Sequence, residues 1–207
     1  MLKNFKLKGF YFILDPFFIK EDIFKLTKEV IKLGIKIVQY RNKVEPTKKN
    51  YNDALILRKI CKNVFFIIND RIDIALAVDA DGVHIGQDDL PINIARKILG
   101  KNKIIGVSTH SQKEAIIAKD DGADYISVGP IFKTSTKPNL DPVGIDLLKK
   151  IKKKIDIPIV AIGGINLENA KKVLSCGVES VCAISSIFKG NPIENVEKIQ
   201  SLFKNES

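Results

Sequence analysis

Gln39-x-Arg41-x-Lys43 sets three hydrogen-bond donors, two of them cationic, on alternate positions at the end of an apolar run. Alternate residues of a strand face one side, so the three can point the same way. A planar fork and a point charge converging on one spot suit a polyanion; a solvated strand end is the plainer explanation of any one of them. Further polar clusters follow later apolar runs: Asn69-Asp70, Gln87-Asp88-Asp89, Ser108-Thr109-His110 and Thr134-Ser135-Thr136-Lys137. If the chain brings Asp70 and Asp89 to one rim, the two carboxylates can hold Mg2+, a hard ion that takes a few carboxylates, waters and phosphate oxygens. Beside such an ion a diphosphate is the natural ligand. The competing explanation is local, with Asp70 capping a helix over 71–78 and Asp89 capping one that starts at Pro91.

The remaining clusters point to a second anion. Thr134, Thr136 and Lys137 supply hydroxyls and an ammonium, and Gly163-Gly164 lets backbone amides approach a ligand closely. Ile184-Ser185-Ser186 ends a last apolar run. Turn formation alone also accounts for Gly-Gly and Ser-rich ends. Together the groups describe two phosphate subsites, for two phosphorylated substrates or one long one. Ser108 and His110 lack a companion Asp and a Gly-x-Ser-x-Gly elbow, so a Ser–His nucleophile is not expected. Ser108 reads as a hydrogen-bonding group in the mouth and His110 as a residue that orients its loop. His84, inside an apolar run, reads as a satisfied interior or rim histidine and not as a metal ligand.

The elements that must position these groups repeat regularly. Strand-like runs lie at 10–14, 35–40, 64–68, 82–85, 104–107, 125–128, 157–162 and 180–184. Several are apolar on both faces, as in a parallel sheet covered by helices. Amphipathic segments at 21–33, 50–61, 91–99, 111–121 and 166–175 alternate with them. Gly34, Gly100, Gly122 and Gly177 stand ready as terminators, and Ser111 with Glu114 has the capping-box pattern. This strand–helix beat predicts an α/β chain folded as a (β/α)8 TIM barrel, one domain over 1–207. Such a barrel carries its chemistry on the loops after the strands. A doubly wound sheet is the alternative, but it gathers ligands at one switch point, whereas here polar clusters follow runs two through seven. The irregular stretch 129–144 is expected to be an active-site flap.

Composition narrows the partners. The net charge of +10 comes mainly from Lys, with Arg at 41, 58, 71 and 96 alone. No nucleic-acid motif or aromatic stacking platform accompanies it, so no nucleic-acid partner is expected and anionic small molecules are. No apolar stretch approaches the about 20 residues that span a bilayer. Cys61, Cys176 and Cys182 have no paired spacing and are expected as buried reduced thiols in a cytoplasmic protein without a membrane segment. A homo-oligomer is compatible with the sequence.

The ordered series of motifs resembles the thiamine-phosphate synthase family. It comprises Gln39-x-Arg41-x-Lys43, Ile68-Asn69-Asp70-Arg71, the run from Asp81 to Asp89, and Gly106-Val107-Ser108-Thr109-His110. It continues with Gly129-Pro130-Ile131-Phe132-x-Thr134-x-Thr136-Lys137 and Ala161-Ile162-Gly163-Gly164-Ile165, and so covers most of the chain. The resemblance implies a barrel enzyme that joins hydroxymethylpyrimidine diphosphate to a thiazole phosphate and releases diphosphate. It implies that Gln39, Arg41, Lys43, Asn69 and Lys137 hold the pyrimidine diphosphate, that Asp70 and Asp89 ligate Mg2+, and that Ser108 contacts the pyrimidine. Thr134, Thr136, Gly164, Ile184 and Ser185 would cradle the thiazole phosphate, with Arg41, Ser108 and Lys137 the residues nearest the chemistry. The path it implies is dissociative: diphosphate leaves before the thiazole nitrogen attacks. A related thiazole tautomerase branch, with histidine where Pro130 stands, and a catalytically silent paralogue are the rivals. Tyr40 and Asn42 depart from the family's usual spacer residues.

Overall fold

Strand residues alternate between two apolar surroundings, and that alternation builds the molecule. The computed structural model describes residues 5, 7–136 and 140–203. Its strands are β1 (Gly9–Leu14), β2 (Ile37–Tyr40), β3 (Phe65–Asn69), β4 (Gly82–Ile85), β5 (Ile104–Thr109), β6 (Tyr125–Val128), β7 (Ile159–Ile162) and β8 (Ser180–Cys182). They pair in parallel in chain order, and β8 pairs with β1, closing the barrel. Phe10, Phe12, Val38, Phe66, Ile126 and Val181 face outward into a layer shared with the helices. Their neighbours Tyr11, Ile13, Ile37, Ile67, Tyr125 and Val160 face the interior. Each such side chain taken from water contributes about 1.5–3 kcal/mol, so both faces of every strand must be apolar at depth. The doubly wound alternative ends here.

The helices are α1 (Ile23–Lys32), α2 (Thr47–Ile60), α3 (Ile72–Ala77), α4 (Ile92–Leu99), α5 (Gln112–Asp120), α6 (Gly144–Lys152), α7 (Ala170–Leu174) and α8 (Pro192–Ser201). Ser111 caps α5 as expected, its Oγ accepting from the Glu114 amide at 3.1 Å. Glu114 reaches one residue further back than a standard capping box, taking the His110 amide at 2.7 Å. Helix α7 is shorter than the 166–175 pattern. Asn166 and Asn169 take each other's backbone amides, at 3.1 and 2.9 Å, and replace the first helical turn with a reciprocal Asx pair. Helices α6 and α8 lie outside the amphipathic segments read from sequence, although Asn191 capping the Ile193 and Glu194 amides, with Pro192 next, is a standard start signal. Strand β8 stops at Cys182, two residues short of the expected end, so Ala183 and Ile184 already belong to the loop. Cys61 and Cys182 are buried free thiols, but Cys176 is only half-buried, which corrects the expectation for that residue. Among the described residues no helix is long and apolar enough to cross a membrane.

Candidate active site

The interior changes character along the barrel axis. Inward positions early in the strands are apolar (Ile37, Ile67, Ile104), whereas those near the strand ends are Gln39, Asn69, His84, Ser108 and Ser127. Register sets Asn69 beside His84 and Ser108 beside Ser127. These groups floor a cavity of about 370 Å³ to which all eight strands or their following loops contribute. Gln39, Arg41, Lys43, Asn69, Asp70, Asp89, Ser108, Thr134, Thr136, Gly164, Ile184 and Ser185 all line it. Lys137, the remaining residue expected there, lies outside the described residues.

One part of the wall is charged. Tyr40 turns outward, its hydroxyl donating to Asp53 at 3.0 Å on α2, and this leaves Gln39, Arg41 and Lys43 facing in. The Arg41 guanidinium is held by Asp15, a buried carboxylate at the end of β1. Lys43 Nζ lies 2.9 Å from Asp70 Oδ2. Asp70 has a left-handed backbone (φ 58°), and its amide donates to the His84 carbonyl at 2.8 Å. Asp89 Oδ2 accepts from the Gly86 amide at 2.6 Å. Neither carboxylate caps a helix: the N-cap residues of α3 and α4 are Arg71 and Pro91, without side-chain cap bonds. Burial raises the Asp70 carboxyl above its ordinary range and Asp89 raises it further, with Lys43 opposing. Two neighbouring carboxylates beside a single ammonium form a donor set that a hard divalent cation fits. Among the described residues no third acidic, His or Cys group joins them, so further ligands would be waters and substrate oxygens.

A second part of the wall is built from glycines and hydroxyls. Gly163 and Gly164 are left-handed (φ 95° and 66°) and packed against the loop after β6. A Cβ on Gly163 would lie 2.4 Å from Pro130, and one on Gly164 would lie 2.6 Å from the Lys133 carbonyl. The Phe132 amide donates to Gly163 O at 3.0 Å, and Asn169 Nδ2 to Gly164 O at 3.0 Å. The Asx pair that shortens α7 thus pins this loop. Thr134 and Thr136 enter from the 129–144 stretch, which has no regular structure among its described residues until Gly144 opens α6. His110 donates from Nδ1 to the Gly129 carbonyl, joining the β5 and β6 loops, in keeping with the orienting role read from sequence.

Between these parts lies an uncharged polar wall that the sequence motifs did not reveal. Tyr11, Tyr125 and Ser127 line the cavity, and Asp15 supports Arg41 behind it. The phenols fall at inward strand positions in otherwise apolar runs, where a tyrosine passes for core; their polar tips were the available signal. His84 is buried as expected, with Nδ1 3.0 Å from the Tyr125 hydroxyl and Nε2 3.0 Å from Ser108 Oγ.

Comparisons with known proteins agree with this fold. Residues 10–187 match the family described as Thiamine monophosphate synthase. A thiamine-phosphate synthase of Clostridium acetobutylicum is 47% identical over 201 residues, covering 96% of this chain and 95% of that protein. One from Methanosarcina barkeri is 43% identical over 191 residues, covering 91% and 87%. The solved structure of thiamine phosphate pyrophosphorylase from Pyrococcus furiosus superposes with a TM-score of 0.87 at 34% identity, covering 96% of this chain and 97% of that one. With its closed barrel, its cavity and these relatives, the chain belongs to the thiamine monophosphate synthase family.

Proposed function

We propose that this transferase condenses hydroxymethylpyrimidine diphosphate with a thiazole phosphate, giving thiamine phosphate and diphosphate, by a dissociative substitution. The observation that carries the reading is the shared cavity: the Arg41–Lys43–Asp70–Asp89 wall and the Thr134–Thr136–Gly164–Ser185 wall face the same space. Gln39, Arg41, Lys43 and Asn69 would hold the pyrimidine diphosphate, with Lys137 completing the set. Asp70 and Asp89 would hold Mg2+, which when bound neutralises charge on the diphosphate oxygens.

The bond between the pyrimidine methylene carbon and the diphosphate oxygen breaks first, its electron pair leaving with diphosphate. The thiazole nitrogen then donates its free lone pair to that carbon. No general base is required, because the attacking nitrogen carries no proton. The chain's part is to receive developing negative charge with fixed cations and to keep the two heterocycles in contact. Arg41, oriented in advance by Asp15, does the first; the second anion subsite does the other. Pro130 brings no ionisable group to the cavity, so an isomerising tautomerase finds no acid–base residue at that point. The three free thiols fit a reducing compartment, the cytoplasm.

The test is formation of thiamine phosphate and diphosphate from both substrates, with and without Mg2+. Metal-dependent product that needs both substrates is expected; folded protein that yields none under any divalent metal would sink the proposal. Asp70→Ala and Lys137→Ala are expected to lower turnover by about 10²–10³-fold while thermal unfolding stays cooperative. Unfolding in place of lost turnover would assign those residues a structural role.

A further inference from the structure

The barrel interior carries a line of side chains whose middle members the reaction above leaves unused. Gln39 Nε2 donates to the Tyr11 hydroxyl at 2.9 Å. The Tyr11 and Tyr125 hydroxyls lie 2.7 Å apart, and the line continues through His84 to Ser108 Oγ with two 3.0 Å contacts. Both ends open on the cavity, and the three middle members are buried. The seat of Tyr125 is cut for it: a Cβ on Gly106, its register partner on β5, would lie 2.0 Å from the ring carbon Cζ. Any larger residue there would push the phenol off the line.

With the Gln39 amide nitrogen as the starting donor, only one set of directions gives every hydrogen on the line a partner. An amide nitrogen only donates, so the Tyr11 oxygen accepts from Gln39 and sends its own hydrogen to Tyr125. The Tyr125 oxygen, already an acceptor from Tyr11, donates to His84 Nδ1. An imidazole whose Nδ1 accepts is neutral and carries its proton on Nε2. That proton goes to Ser108 Oγ, with Ser127 Oγ a lesser partner at 3.4 Å. Burial keeps both phenols protonated at neutral pH, so no phenolate interrupts the line. Ser108, accepting from the imidazole, is left to donate into the cavity. At the other end Gln39 Oε1 has no hydrogen-bond partner among the described residues; since no buried side-chain polar atom among them lacks one, this oxygen reaches open space as an acceptor.

We propose that Tyr11, Tyr125 and His84 are positioning residues that fix this polarity, so that the site selects a ligand edge offering an N–H to Gln39 Oε1 and a bare ring nitrogen to Ser108. An aminopyrimidine presents that edge. An oxopyrimidine, with hydrogen on the ring nitrogen and an accepting oxygen beside it, presents the reverse and would leave buried polar groups unpaired. The inference rests on reading Gln39 and Ser108 as contacts of the pyrimidine, and its tests separate the two claims.

The chain has two histidines, so nitrogen-15 NMR of histidine-labelled, ligand-free protein reads the polarity directly. His84 is expected as the Nε2–H tautomer and His110 as the Nδ1–H form, with His110→Gln assigning the signals. An Nδ1–H His84 would reverse the line and overturn the proposal. Tyr125→Phe is expected to replace the single His84 tautomer by a mixture. It should also raise KM for the pyrimidine diphosphate about tenfold, the worth of one hydrogen bond, and leave KM for the thiazole phosphate unchanged. An unmoved pyrimidine KM overturns the proposal; if that variant does not fold, Tyr11→Phe carries the same two readouts. Equal use of amino- and oxopyrimidine diphosphates by the wild type also overturns it. Wild-type protein with an Nε2–H His84 but no product would refute the pyrimidine reading instead; product with an Nδ1–H His84 would refute the polarity alone.

Discussion

Arg41 reaches the cavity already tethered, because Asp15 is buried beside it and shares its carboxylate between the guanidinium and the Phe17 amide, 3.1 Å away. A cation fixed before the substrate arrives avoids the entropy of ordering a long side chain at the moment of reaction. Asp15→Asn keeps the shape and the amide contact but removes the charge. It is expected to lower kcat/KM for the pyrimidine diphosphate about 10–100-fold and to leave KM for the thiazole phosphate unmoved. Steady-state kinetics with each substrate varied in turn checks this, and an equal loss toward both substrates would contradict it. Asp15 could not be picked out in advance, since an aspartate between a strand and Pro16 reads as a turn former. Asp70 is the opposite case: carboxylate chemistry and position beyond a strand marked it. Asp70→Asn is expected to weaken Mg2+ binding at least about tenfold by calorimetry, the removal of one of two charged ligands.

Elements are held from the face opposite the site. Before β4, β6 and β8 stand Asp81, Asp124 and Glu179, whose carboxylates accept amides from the first or second residue of β3, β5 and β7 (Phe66, Ile105 and Ile159, at 2.7–2.9 Å). Each is paired with a cation: Arg58, Arg96 and Lys152. Arg96 also bonds the Lys103 and Gly122 carbonyls, so Asp124 organises a corner where two loops meet. Asp124→Asn is expected to cost about 1–3 kcal/mol in denaturant unfolding with kcat unchanged; a fall in kcat of similar size would place this corner in the catalytic machinery. The strands were legible from sequence because both of their faces are buried, which writes long apolar runs with polar residues only at the ends. The site was legible for the same reason, as polar side chains at strand ends have no core to serve. Legibility failed where polar groups sit inside the barrel and resemble core, as with Tyr11 and Tyr125. It failed too where side chains bond their own backbone, as at Asn166 and Asn169, so that helical periodicity overstates the helix.

For the whole molecule, the buried groups foretell a one-sided response to pH. Burial raises the thiol of Cys61 to about 12 and pushes Cys182, Tyr11, Tyr40 and Tyr125 well up as well. In the unfolded chain such groups lose protons near their ordinary values, about 8.5 for thiols and about 10 for phenols, so the native state binds more protons above that point. Their stabilisation is complete below the ordinary thiol value and is lost as pH rises through the raised native values. Thermal unfolding followed by circular dichroism is therefore expected to show a midpoint that declines above about pH 9, and Tyr125→Phe should flatten the decline. A level or rising midpoint from about pH 8 to 10.5 would contradict the assignment.

The barrel's final seam also sets a schedule for making the enzyme. The Ser180 hydroxyl donates to the Gly9 carbonyl, 171 residues earlier, and the Phe10 amide is satisfied by Gln200 Oε1, 190 residues later, at 2.8 Å. At synthesis rates of about 5–20 residues per second, the first strand waits on the order of ten seconds or more on the ribosome for the partner of that amide. During that wait Lys43, Asp70, Ser108 and Ser185 have all been translated, yet the seam that aligns the first loop with the last is unlatched. A chain stalled short of Gln200 carries every residue of the site before the barrel that assembles them has closed.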